Sequence, residues 1–133
     1  MTDTTPSTPA AGRAFLDRFT PAEVERIVAA GTAVTLPAGW SPIWERTPAD
    51  KAYVILSGEV SVRVKGEEIA RLGAGEIVGE AAIVRRSLRT ASIVALTPLE
   101  LVHLSADAVR ALRAELPAFR DAIDGVVAER VPA

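Results

Sequence analysis

Gly79-Glu80-Ala81-Ala82-Ile83-Val84-Arg85-Arg86-Ser87-Leu88-Arg89-Thr90-Ala91-Ser92 is the stretch on which the fold turns. It opens on Gly-Glu, continues as a short apolar helical turn, passes through a basic polar loop and ends on Arg-Thr-Ala-Ser at the start of a strand. A carboxylate and a guanidinium stand at the two ends of one compact loop. A guanidinium presents parallel N–H donors that match the paired oxygens of a phosphodiester, which a lysine ammonium cannot do. Arg89 is therefore the expected charge partner of a phosphate. Backbone N–H groups from Ala81 to Ile83 can donate to the same group, and small side chains at Ala81 and Ala82 leave room for it. Gly79, without a Cβ, lets the backbone approach a ligand closely. Glu80 accepts hydrogen bonds only, so it suits a sugar hydroxyl. Thr90 adds a hydroxyl beside the phosphate or at a base edge.

The sequence on either side sets this loop in a β-rich domain. Short apolar runs from Thr32 to Leu104 are punctuated by turn residues at Pro37 to Gly39, Pro48 to Asp50, Ser57-Gly58, Gly66-Glu67 and Gly73 to Gly75. Val60, Val62 and Val64 alternate with Ser61, Arg63 and Lys65, the period of a strand with one buried face. Tyr53 to Leu56 and Ser92 to Leu96 are continuous and β-branched, as strands buried on both faces are. Helical spacing flanks this region. Thr20-Pro21-Ala22-Glu23 is a capping box, Phe19 and Val24 are placed as a hydrophobic staple, and Gly31 is placed to end the helix. Ser105 caps a helix carrying Val109, Leu112 and Leu116, with Leu104 placed to staple to Val109. Pro117 opens another, with Phe119, Ile123, Val126 and Val127 along one side. Residues 1–12 are rich in Thr, Pro and Ser and read as a disordered tail, leaving 13–133 as one domain.

The chain has 133 residues, 49% of them apolar, enough for one core, and a net charge of −2 with no cysteine. No basic excess marks a nucleic-acid binder, and no apolar run approaches the ~18 residues of a membrane span. The N-terminus lacks the charged-then-apolar pattern of a secretory signal, and a cytoplasmic setting is expected. One histidine cannot supply a metal-dependent barrel enzyme, and no Ser-His-Asp arrangement is visible, so neither catalysis, nor a metal, nor a cofactor is expected. His103, on a strand-like flank, is expected at the surface or in a hydrogen bond. Trp40 and Trp44 precede a turn-flanked strand and are expected to pack in the core or at a barrel edge. Arg85 and Arg86 form either a solvated face or a local positive potential that draws in an anion.

Taken together these motifs resemble the cyclic nucleotide-binding domain family from about Phe15 to Val127. Leu36-Pro37-Ala38-Gly39, Ile43-Trp44 and Pro48 to Val62 are similar to its strand block, and Leu72-Gly73-Ala74-Gly75-Glu76-Ile77-Val78-Gly79-Glu80 to the approach to its phosphate-binding cassette. The resemblance implies a mainly β fold: an eight-stranded jelly-roll barrel (double-stranded β-helix) with an N-terminal helix, a short cassette helix and two C-terminal helices. It implies that Glu80 binds the ribose 2′-hydroxyl and Arg89 the cyclic phosphate, with Gly79, Ala81, Ala82 and Thr90 around them. Val62, Val64, Ile69 and Ile83 are expected to offer apolar surface to the ligand, with Val126 or Arg130 over the base. The ligand the resemblance implies is cyclic AMP, or else cyclic GMP. Output is expected to pass to a partner protein, or through a homo-oligomer, by a shift of the cassette and C-terminal helices. The other reading is a ligand-independent interaction or oligomerisation module. Thr47, Val78 and Leu88 depart from the family's usual glycine, aromatic and proline.

Overall fold

The computed structural model describes residues 14–129, so the tail proposed at 1–12 and Arg130 lie outside the described residues. A 3-10 turn (Phe15–Arg18) precedes α1 (Pro21–Ala29). The Thr20 hydroxyl accepts from the Glu23 N–H at 3.2 Å, and the Glu23 carboxylate accepts from the Thr20 N–H at 2.9 Å. Two otherwise orphaned donors are thereby satisfied. Gly31 directly follows the C-cap Ala30 and ends α1 as expected, its N–H donating to the Val28 carbonyl at 3.1 Å, and it serves a second purpose. A Cβ at Gly31 would lie 2.5 Å from the His103 carbonyl oxygen, so only glycine lets the chain cross the neighbouring strand there.

The β region comprises β1 (Thr32–Leu36), β2 (Lys51–Ser57), β3 (Val60–Val64), β4 (Glu67–Leu72), β5 (Ile77–Val78), β6 (Ser92–Ala95) and β7 (Leu99–Ser105), with α2 (Glu80–Arg85) between β5 and β6. Helices α3 (Ala106–Glu115) and α4 (Pro117–Glu129) follow. The strands form two antiparallel sheets, ordered β1-β7-β2-β5 and β4-β3-β6.

This is a mainly β fold with flanking helices, as expected, but the described residues form seven strands in two sheets and not an eight-stranded closed barrel. Residues 39–47 run beside β6, where the missing strand would lie. Ala95 N–H donates to the Trp40 carbonyl at 2.8 Å, Ile93 N–H to Ile43 at 2.9 Å and Arg89 N–H to Thr47 at 2.9 Å. Pro42 has no N–H to give, and Arg46 adopts a left-handed φ of 68°. The contacts are thus a discontinuous edge and not a ladder. Trp40 and Trp44 ride this edge at 61% and 62% exposure, so of the two places expected for them the structure takes the edge and not the core.

Strand period 2 divides the interior in two. On β2, Tyr53 and Ile55 face the other sheet together with Val60, Val62, Ile93, Ala95, Leu99 and Leu101. Ala52 and Val54 face the helices, where Phe15, Phe119 and Ile123 pack. The Phe15 ring meets Phe19 and Phe119 edge-on at 5.1 and 5.8 Å. Ser105 caps α3 by accepting from Ala108 N–H at 3.0 Å. His103 lies on β7, half-buried, with its ring edge-on to Tyr53 at 5.4 Å.

Candidate functional site

Gly79 turns the chain from β5 into α2 with φ at +89°. A side chain there would be strained, and its Cβ would lie 2.7 Å from Ile43 and 2.8 Å from the Arg89 guanidinium. Helix α2 begins on Glu80, whose carboxylate favours the positive end of the backbone dipoles, and closes on Arg86 in a left-handed conformation. Ser87 N–H donates back to the Ala82 carbonyl at 3.0 Å. The chain then straightens, and Arg89 is pinned on both sides: its N–H to Thr47 O at 2.9 Å, its carbonyl to Arg46 N–H at 2.8 Å.

The Arg89 side chain turns inward and is 4% exposed. Nη1 donates to the Gly79 carbonyl at 2.6 Å and Nη2 to the Lys51 carbonyl. The Asp50 carboxylate stands 4.0 Å away. Burial pushes the guanidinium below its ordinary value, and Asp50, Glu80 and Tyr53 act against that shift. A hydrogen bond from Lys51 leads the causes that hold Asp50 below the usual carboxylate range. An isolated buried cation costs several kcal/mol, and two carbonyls and two acids offset that cost for Arg89. They use only part of its five N–H donors.

Arg89 and Glu80 line one hollow, Glu80 being 1% exposed. Gly79, Ala81, Ala82 and Thr90 line it too, and Ile43, Val62, Leu72, Val78, Ala91 and Ile93 give it an apolar wall. Its empty volume is about 460 Å³, mouth included. A cation with spare donors, an acceptor-only group and an apolar wall suit a small anion that carries hydroxyls and a flat apolar part. Among the described residues no group of three His, Cys, Asp or Glu side chains could hold a metal ion.

Four expected apolar contacts are placed elsewhere. Ile69 is 51% exposed, because the β3–β4 register shifts between Val62 and Arg63 and leaves Ile69 without a partner across the pair. Val64 is half-buried near the β3–β4 turn, off the hollow. Ile83 and Val126 are buried in the helical core. Residues not anticipated at the site are Asp50, the Lys51 carbonyl, Ile43, Leu72, Ala91 and Ile93. The register supplies the signal for Leu72, which pairs with Val60 beside Val62.

The family model for the cyclic nucleotide-binding domain matches residues 33–115. The chain belongs to the cyclic nucleotide-binding domain family. A cGMP-dependent protein kinase of Caenorhabditis briggsae is 32% identical over 65% of this chain and 12% of its own length. The Pycsar effector protein XpPycTIR of Xanthomonas perforans is 31% identical over 80% of this chain and 36% of its own. The cyclic nucleotide-binding domain thus spans well under half of either relative. The Thermus thermophilus catabolite activator protein superposes with a TM-score of 0.77 at 25% identity, covering 88% of this chain and 57% of that one. No helix of the described residues is long and apolar enough to cross a membrane.

Proposed function

We propose that this domain is a regulatory sensor that binds a cyclic mononucleotide, with cyclic AMP as the first ligand, in the hollow between α2 and β6. The observation that carries this reading is the pair of buried, oppositely charged side chains, Glu80 and Arg89, lining one hollow with an apolar wall. Arg89 takes the cyclic phosphate with its spare donors, and Glu80 accepts from the ribose 2′-hydroxyl. Gly79, Ala81 and Ala82 admit the phosphate to the backbone of α2. Thr90, exposed at the rim, serves the phosphate or a guanine edge. That choice, and the likeness to a kinase named for cGMP, make cyclic GMP the second ligand.

Output runs to a partner protein through α2 and the C-terminal helices. Arg85 of α2 donates to the Val127 carbonyl of α4 at 3.3 Å, so a displaced cassette pulls on α4 directly. A ligand shifts that equilibrium only by its differential affinity for the two arrangements.

Thermal denaturation with cyclic AMP, cyclic GMP, linear AMP and buffer tests the reading. A ligand at ~100 times its dissociation constant adds about 2.7 kcal/mol, a shift of many degrees in a domain of this size. Stabilisation by a cyclic nucleotide alone is expected. No shift with either cyclic nucleotide at millimolar concentration would instead leave a ligand-independent module.

A further inference from the structure

The basic pair Arg85-Arg86 is split by the fold. Arg85 is engaged with α4, whereas the Arg86 guanidinium has no hydrogen bond or ion pair among the described residues. Arg86 lines a second, outer groove between the cassette loop and α3, together with Ser87, Leu88, Pro48 and Arg110. Among the described residues Arg110 is held by Asp107 alone, at 3.3 Å, and that carboxylate is 99% exposed, so the pair is weak and open to exchange. The whole run from 81 to 99 contains three arginines and no acid in a chain of net charge −2. The groove is a positive site in which, among the described residues, Arg86 has no anionic partner and Arg110 has a solvent-exposed one.

Ser87 lines the same groove as these cations. It is exposed, its hydroxyl makes no hydrogen bond among the described residues, and residues 87–89 have no regular secondary structure. Two arginines precede it directly, and an apolar side chain, Leu88, 56% exposed, follows it. An acidic substrate cleft in a kinase would recognise Arg86, the residue directly before Ser87, by charge-assisted hydrogen bonds.

We propose that Ser87 is a phosphorylation site for a kinase that selects arginine on the N-terminal side of its acceptor, and that Arg86 and Arg110 clamp the phosphate formed. The Ser87 Oγ forms a bond to the γ-phosphorus of a nucleoside triphosphate. The bond from that phosphorus to the bridging oxygen breaks, the nucleoside diphosphate leaves, and the hydroxyl proton passes to the kinase's base. The new group carries nearly two negative charges and three acceptor oxygens, a fit to two guanidinium groups. It ties the cassette loop to α3 and sets negative charge two residues from Arg89, which opposes an incoming cyclic phosphate. That last effect rests on the proposed nucleotide function; the modification and the clamp do not.

The full chain is treated with magnesium ATP and the catalytic subunit of an arginine-directed kinase, then mapped by tandem mass spectrometry. One phosphate on Ser87 is expected, and none on the same peptide in Ser87→Ala. No incorporation, or incorporation elsewhere only, overturns the site. The clamp is read on protein with phosphoserine placed at 87 during translation, which needs no kinase. Its melting temperature is expected to rise above that of unmodified protein, and Arg110→Gln is expected to abolish the rise. An unchanged melting temperature overturns the clamp. Calorimetry with cyclic AMP should show several-fold weaker binding to the phosphorylated chain, and equal binding overturns the regulatory role.

Discussion

Arg89 carries two tasks at once, and substitutions separate them. Its guanidinium ties the Gly79 and Lys51 carbonyls together from inside, and it remains the cation of the hollow. Arg89→Ala removes a charged hydrogen bond worth ~1.5–3 kcal/mol and is expected to weaken cyclic-nucleotide binding at least tenfold by calorimetry. It also orphans two carbonyls, so a lower melting temperature should accompany the loss. Glu80→Gln keeps the shape and removes the charge. Its expected signature is a smaller preference for cyclic AMP over the 2′-deoxy analogue, and an unchanged preference would remove Glu80 from the ribose. Gly79→Ala forces a side chain into a left-handed φ and against Ile43 and Arg89. Both stability and affinity should fall, since the added carbon displaces the guanidinium it touches. Glu80 and Arg89 stand out in the sequence because their chemistry is unusual for an apolar turn. Asp50 does not, because nothing local shows that a residue so far along the chain will lie 4.0 Å from Arg89.

Among the elements, what could be read in advance was whatever local chemistry determines. The capping box at Thr20, the cap at Ser105 and proline at the start of α4 all stand where their residues imply, and β3 is a strand as expected, but its alternation fails at Ser61, which is fully buried with its hydroxyl donating to Glu68 at 2.7 Å. Thr20→Ala should therefore cost about 1 kcal/mol, visible as a lower urea midpoint with an unchanged slope. An unchanged midpoint would mean that packing of the three phenylalanines holds α1 without its cap. What depends on pairing was not legible. The bulge opposite Val62 belongs to β3 and β4 jointly, so the sequence of β4 alone gives no reason to expect Ile69 in solvent. The broken edge at 39–47 is a similar case. Ile43-Trp44 is similar to part of the family's strand block, yet the left-handed Arg46 and the missing N–H of Pro42 leave only scattered bonds to β6.

At the scale of the molecule, sheet β1-β7-β2-β5 is the wall between two cores, and the site lies where they meet. Ile77 faces the helices and its neighbour Val78 faces the other sheet, with Gly79 and Glu80 following directly. The cassette is thus anchored in both cores, and neither can loosen without moving it. Cavities made on either side test that arrangement. Phe119→Ala empties the helical core at a fully buried ring, and Ile55→Ala empties the core between the sheets. Costs of roughly 3–5 and 2–5 kcal/mol are expected. Because β2 and β7 contribute side chains to both clusters, each cavity should destabilise the domain as one cooperative unit. Native-state hydrogen exchange reads this directly. In Phe119→Ala the slowest amides of β6, which lies in the opposite sheet, should lose as much protection as those of α4. If β6 keeps its parent protection while α4 is lost, the helices are a separate unit resting on an independent β-sandwich. In that case a displaced α2 could release α4 without any cost to the hollow.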